Sequence, residues 1–209
     1  MKAKKQWVLI ILFIIGLVLS GINPHDYFTW GLEVFPAVIG LGVLIGTFKS
    51  FRFTTLTYVL ILVHCYILFI GGHYTYAEVP IFDWIQEAFH QSRNNFDKVG
   101  HFVQGFVPAL IIRELFVRQQ IVKKGPWLSF LTVCVCITIS VGYELLEWFV
   151  AVVSGQSSES FLGTQGYVWD TQSDMLYAAI GAICMIIFLS KIQDRQIDKI
   201  KPAATQNRA

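Results

Sequence analysis

Residues 127–150 read WLSFLTVCVCITISVGYELLEWFV. No charged residue interrupts the stretch from Trp127 to Tyr143, and a helix needs only about 20 apolar residues to cross a hydrocarbon core of roughly 30 Å. It reads as a membrane span. That reading decides the fold, because Glu144 and Glu147 then stand inside the span rather than beyond it. Five further segments have the same character, at roughly 7–22, 30–48, 53–71, 99–117 and 171–189. Short gaps between most of them force antiparallel neighbours. The expected fold is all-α, a polytopic membrane helix bundle with six transmembrane helices, forming a single integral-membrane domain over 1–209 that ends in a tail at 190–209.

Composition agrees. The chain is 55% hydrophobic, only 14% charged and holds 17 Phe, with a mean hydropathy of +0.56, too apolar for an ordinary soluble domain. Its basic residues fall in short clusters between apolar runs and make no continuous face, which argues against nucleic acid as a partner. Cys65, Cys134, Cys136 and Cys184 lie within apolar runs and read as small core residues. Cys134 and Cys136, two apart on a helix, point to different sides and make a poor metal pair. No internal repeat of the kind found in many transporters is evident.

All but Arg93 and Lys98 of the 16 Lys and Arg residues fall on one side of the six spans. The positive-inside rule puts that side, with the N and C termini, in the cytoplasm. The first span has the basic start of a signal peptide, but Val18-Leu19-Ser20 is a poor cleavage site, so the span is expected to be retained. In the longest outer loop, from Gly72 to Lys98, Pro80 can open a short helix whose Ile81, Ile85, Ala88 and Phe89 share a face. Such a segment is expected to lie in the membrane interface.

The acids show the opposite asymmetry: all but Glu114, Asp194 and Asp198 of the 14 fall on the outer side or in the outer half of a span. The insertion machinery sorts acids only weakly, so the outer half needs its own explanation. At about 1.5 Å per residue, His101 lies roughly 9 Å below the outer start of the fourth span, and Asp174 about 6 Å in from Asp170. Glu144 and Glu147 stand about 5–14 Å short of the exit of the fifth. Helical spacing puts Asp97 with His101, Glu144 with Glu147, and Asp170 with Asp174 on one side of their helices. Facing lipid, each charge would cost about 2.5–3.5 kcal/mol, so these groups are expected to face inward, in one shallow layer.

Such a layer repels itself unless some carboxyls are protonated, Lys98 or an imidazolium pairs with them, or a cation binds. His101, Glu144, Glu147 and Asp174 form a donor set suited to a divalent metal, zinc, manganese or non-haem iron, while oxygen ligands alone would suit magnesium or calcium. Asp97 and Asp170 would then act as catalytic base or as support behind the ligands. Each residue also has a plainer reading: Asp97 as a first-turn acid, Asp170 as an N-cap, Lys98 as a headgroup-level cation, and the four deeper groups as a polar network that only fixes helix packing. His64 reads as a packing hydrogen bonder that could join the layer, Glu33 as a snorkelling acid, and Tyr143, Trp148 and Trp169 as belt or packing aromatics. The run from Ser154 to Asp170 has turn composition and could fold over the layer as a cover.

The runs DKVGHFVQGF (Asp97–Phe106), GYELLEWF (Gly142–Phe149) and GTQGYVWDTQSDMLYAAIGA (Gly163–Ala182) together resemble the YjdF-type family of bacterial inner-membrane proteins, over essentially the whole chain. A partial likeness links the Asp-Lys-x-x-His start of the fourth span, with the later acids, to VanZ-like membrane proteins. The family resemblance implies a multi-pass protein of the bacterial inner membrane carrying three motifs, Asp97-Lys98-His101, Glu144-Glu147 and Asp170-Asp174. It brings no reaction with it.

Three functions fit. The first is a metal-dependent, membrane-embedded hydrolase or transferase acting on a lipid-linked or envelope substrate at the outer leaflet. It lacks support from any nucleophile motif, Gly-rich phosphate loop or HExxH pair. The second is a proton- or cation-coupled transporter, which would need polar residues continuing inward. In the inner halves of spans five and six these reduce to Thr132, Thr138, Ser140 and Ser190. The third is a non-catalytic accessory protein whose polar network locks the helices. Membrane lipids are the expected partners in every case.

Overall fold

The computed structural model describes residues 3–154 and 165–200. Among them the regular structure is entirely helical: α1 (Ala3–Ser20), α2 (Tyr27–Thr47), α3 (Thr55–Tyr74), α4 (Pro80–Ala88), α5 (Phe96–Arg118), α6 (Pro126–Ser154) and α7 (Asp170–Ile197). Five of these, α2, α3, α5, α6 and α7, are long and apolar enough to cross a membrane. The apolar part of α1, Gln6–Ser20, is shorter.

The helices begin where the sequence can satisfy their first N–H groups. Asp26 caps α2 by accepting from the Thr29 amide at 2.6 Å, and Thr54 caps α3 through the Thr57 amide. Pro80 opens α4 at a position where its missing N–H costs nothing. Ile81 and Trp84 stand exposed on α4, as does Phe89 at its C-cap, while Ile85 is half-buried. Trp148 and Trp169 are also exposed, as belt aromatics would be.

The centre of the bundle is the close pair α5 and α7. A Cβ at Gly105 would lie 1.8 Å from the Ala178 carbonyl oxygen, and one at Gly181 would lie 2.0 Å from that of Phe102. Reciprocal glycines thus let the two backbones touch, as small residues do between membrane helices, where lipid supplies no hydrophobic drive. Below this contact Ala109, Leu110, Ile112, Cys136, Ala182 and Met185 make an apolar core joining α5, α6 and α7. A second core, Phe13, Val34, Ala37, Cys65 and Phe69, joins α1, α2 and α3.

Polar layers lie at both ends of α5. At its C-terminal end Glu114, fully buried, accepts from Thr54 N at 2.8 Å, from the hydroxyls of Thr54 and Thr57 at 2.9 and 2.7 Å, and from Arg118 Nη1 at 3.0 Å. Arg118 also donates to the Arg52 carbonyl and covers the Phe51 ring at 4.0 Å. Arg113 grips Asp194 of α7 with two bonds of 3.0 Å and reaches Gln193, whose amide donates to the Leu110 carbonyl at 2.7 Å. The sequence showed these arginines only as orientation signals. They hold α3, α5 and α7 in register as well. The other polar layer, at the N-terminal end of α5, is the candidate site.

Candidate functional site

The chain enters α5 through Arg93 and Asn94, both buried. The Asn94 amide group donates to the Val79 carbonyl at 3.1 Å and to Asp83 at 2.7 Å, tying the start of α5 to α4. Arg93 is then held beside the helix start and pairs with Asp97 of α5 and Asp170 of α7. Lys98 lies between the same helices, with Nζ 2.8 Å from Asp170 Oδ1, 2.7 Å from Asp174 Oδ1 and 3.4 Å from Asp97 Oδ2. Three carboxylates and two cations therefore form one buried lattice. Desolvated charges persist only when paired in this way.

Deeper in, the pairing runs out. Asp174 gives Oδ1 to Lys98, and its Oδ2 lies 3.7 Å from His101 Nε2. His101 Nδ1 is 3.0 Å from Gln104 Oε1 and 3.7 Å from Glu144 Oε1. A proton on Nδ1 directed at Gln104 leaves the Nε2 lone pair facing Asp174, the usual way an imidazole is oriented for a ligand. Glu144 is only 9% exposed, and its Oε1 is buried with no hydrogen-bond partner. His101, Glu144 and Asp174, from α5, α6 and α7, each offer one ligand atom within 4.8 Å of the others. Asp97, Asp170 and Asp174 meet the same condition, but they are the acids that Arg93 and Lys98 already neutralise.

Glu147, one helical turn from Glu144, does not join that trio. It lines an adjoining cavity of about 200 Å³, whose wall also includes Glu33, His64, Tyr76, Tyr143 and His101. The Tyr143 hydroxyl lies 3.4 Å from Glu33 Oε2. Glu33 therefore faces into the bundle rather than snorkelling to the surface, and Tyr143 faces it rather than the lipid. His64 joins the cavity and not the trio. Tyr76 was not foreseen at all. Thr75 and Tyr76 both have φ of 56°, a strained left-handed conformation for residues bearing side chains. This turn sends the Tyr76 ring into space left by Gly71 and Gly100, where a Cβ would lie 2.2 and 2.8 Å from it. Burial holds the Tyr76 phenol well above its ordinary pKa, so it stays a hydroxyl.

Arg93, the other residue that sequence reasoning missed, had one available signal: it precedes Asp97 by four positions. Of the suggested cover, residues 155–164 lie outside the described residues. Its end returns to the site. Gln165 exchanges two bonds with the Asn94 backbone, at 2.9 and 3.1 Å, and the Tyr167 ring lies 5.5 Å from Lys98 Nζ.

A bundle of long apolar helices with an ion-paired layer near one end defines a multi-pass membrane protein. The chain belongs to the family described as predicted membrane protein (DUF2238), whose model matches residues 5–195. It is 47% identical to the inner membrane protein YjdF of Escherichia coli (strain K12) over 181 residues, 87% of each chain. No solved structure matches it. These matches bear out the YjdF-type resemblance and the inner-membrane location. Neither match shows the VanZ-like likeness.

Proposed function

We propose that the chain crosses the inner membrane six times with both termini in the cytoplasm, and that its outer half is a metal-dependent hydrolase or transferase site opening toward the outer leaflet. The basic residues favour this direction. The apolar part of α1, Gln6–Ser20, gives roughly 22 Å at about 1.5 Å per residue, so its crossing relies on local thinning of the bilayer or snorkelling of flanking residues.

The observation that carries the reading is the convergence of His101, Glu144 and Asp174 around a buried, unpartnered carboxylate oxygen. Buried polar atoms are almost always satisfied, so an orphan oxygen beside an imidazole and a second carboxylate calls for an electropositive partner. Charge count agrees. Asp97, Asp170, Asp174 and Glu144 face two fixed cations, Arg93 and Lys98. With these four acids ionised, and Glu33 and Glu147 left out of the count, two negative charges remain that a divalent ion would offset. One imidazole and two carboxylates suit zinc, manganese or iron, with an open position for water or substrate. The metal would act as a Lewis acid there. Asp97 and Asp170, held by Arg93 and Lys98, fit the supporting role. Glu147, facing the cavity that His101 also lines, is the better-placed base.

The full pairing of Asp97 and Asp170 favours a second reading, in which the layer only locks the helices. A carrier is less favoured, because the apolar core around Leu110 and Met185 separates the two polar layers. Metal analysis of detergent-purified protein tests the proposal. The enzyme reading expects about one transition-metal ion per chain, lost tenfold or more in His101→Ala and Glu144→Ala with the fold retained. Metal-free wild-type protein would leave the locking role.

A further inference from the structure

The cavity beside the site borders a second one. Pro36, His64, Leu68 and Pro108 line it, and the same four residues line a second, larger cavity of about 560 Å³ between α1, α2, α3 and α5. Pro36 and Pro108 lie inside α2 and α5 where the two spaces share a wall, and a proline inside a helix removes one of its hydrogen bonds. From that junction the larger cavity follows α2 down to Phe48. Those 12 residues give about 18 Å of depth at a helical rise of 1.5 Å per residue. Its wall is made of residues such as Phe13, Ala37, Leu62 and Val107.

The two spaces differ in chemistry. The upper one presents Glu33, Asp97 and Glu147 with the Tyr76 and Tyr143 rings, and among the described residues no Lys or Arg lines it. It suits a polar group that donates hydrogen bonds and disfavours an anion. The lower one suits a hydrocarbon chain, and its volume lies in the range of small-molecule sites. Half of a hydrocarbon core is only about 15 Å deep. A chain with its head at the level of His101 and its tail at Phe48 would pass the midplane, which suits one long chain better than a two-chain lipid.

We infer that the joined cavities form a binding site for a single-long-chain amphiphile, an acyl or isoprenoid chain bearing a neutral, hydroxyl-type head, with the tail between α1, α2, α3 and α5 and the head beside His101 and Glu147. The inference rests on the outer-leaflet reading above and names its substrate class. The connection at His64 also gives that residue a role, because its imidazole stands at the neck where head chemistry changes to tail chemistry.

Gly40 offers a clean obstruction. It lines the lower cavity, and a Cβ added there meets nothing within 4 Å. Gly42 has equal room but is exposed and lies outside that wall. Purified protein would be photolabelled with a diazirine-bearing hexadecanol, and the labelled peptides mapped in wild type, Gly40→Phe and Gly42→Phe. The expected result is labelling concentrated on the cavity wall, around Leu62 and Val107, reduced at least fivefold in Gly40→Phe and kept in Gly42→Phe. Unlabelled hexadecanol should compete and hexadecanoate should not. Labelling spread evenly over lipid-facing helices, labelling unchanged by Gly40→Phe, or equal competition by the carboxylate would overturn the inference. Metal content of the same Gly40→Phe sample separates the two proposals, since blocking the tail cavity leaves His101, Glu144 and Asp174 intact.

Discussion

Lys98 Nζ lies 2.7 Å from one oxygen of Asp174, while the other oxygen of that carboxylate lies 3.7 Å from the His101 imidazole. Asp174 thus belongs to two systems. On one side are acids neutralised by Arg93 and Lys98; on the other is a group of donors with no fixed cation. The division between structure and chemistry in this protein runs through one side chain.

Removing the cation should therefore be severe. Lys98→Met leaves Asp170 and Asp174 buried without their ammonium partner, and breaking a buried pair from one side costs about 3–5 kcal/mol. Adding Asp170→Asn should restore part of that loss. Denaturant unfolding in detergent measures both, and a loss below about 1 kcal/mol for Lys98→Met would show that solvent reaches the layer.

The contact between α5 and α7 allows a test by single methyl groups. Gly105→Ala and Gly181→Ala each place a Cβ within 2.0 Å of a carbonyl oxygen of the facing helix, so each should cost about 1–3 kcal/mol as the helices part. Gly46→Ala, in open space, should be neutral or stabilising by about 0.5–1 kcal/mol. Equal effects at all three positions in the same unfolding assay would contradict the close approach.

The polar layer around Glu114 should affect stability alone. Glu114→Ala strands Arg118 and the hydroxyls of Thr54 and Thr57, at a cost of about 3–5 kcal/mol, and Glu114→Gln should cost less because the amide oxygen still accepts. Neither change should alter metal content. A loss of metal with the fold intact would show that the two layers communicate.

Topology is open to cysteine labelling in intact cells, on a background in which the four native cysteines are replaced. With α1 crossing, Lys4→Cys and Lys124→Cys should react with an impermeant maleimide only after permeabilisation, while His25→Cys and His90→Cys react from outside. Labelling of Lys4→Cys from outside would reduce the crossings to five.

Five of the six expected spans were legible because a bilayer imposes length and polarity on any helix that crosses it, so 127–150 and the stretches that became α2, α3, α5 and α7 stand out without reference to neighbours. The shallow layer was legible for the same reason: charge that deep must face inward. What the sequence could not supply was the identity of the neighbour. Glu144 and Glu147 share a side of α6, yet three residues leave them about 60° apart around the axis. That angle is enough for Glu144 to meet His101 and Asp174 while Glu147 turns to the Glu33 cavity. Arg93 precedes its helix, so its pairing with Asp170 depends on where α7 stands. Tyr76 reaches its place through a left-handed turn that no periodicity records.

X-ray absorption at the metal edge of the purified protein tests the central claim most directly. A site built by His101, Glu144 and Asp174 should show a nitrogen and oxygen shell at about 2.0–2.2 Å with imidazole scattering in the wild type, and the metal edge itself should fall tenfold or more in His101→Ala. A sulfur shell, or an imidazole signal that survives His101→Ala, would place the metal elsewhere and leave the convergence of these three side chains without the role assigned to it.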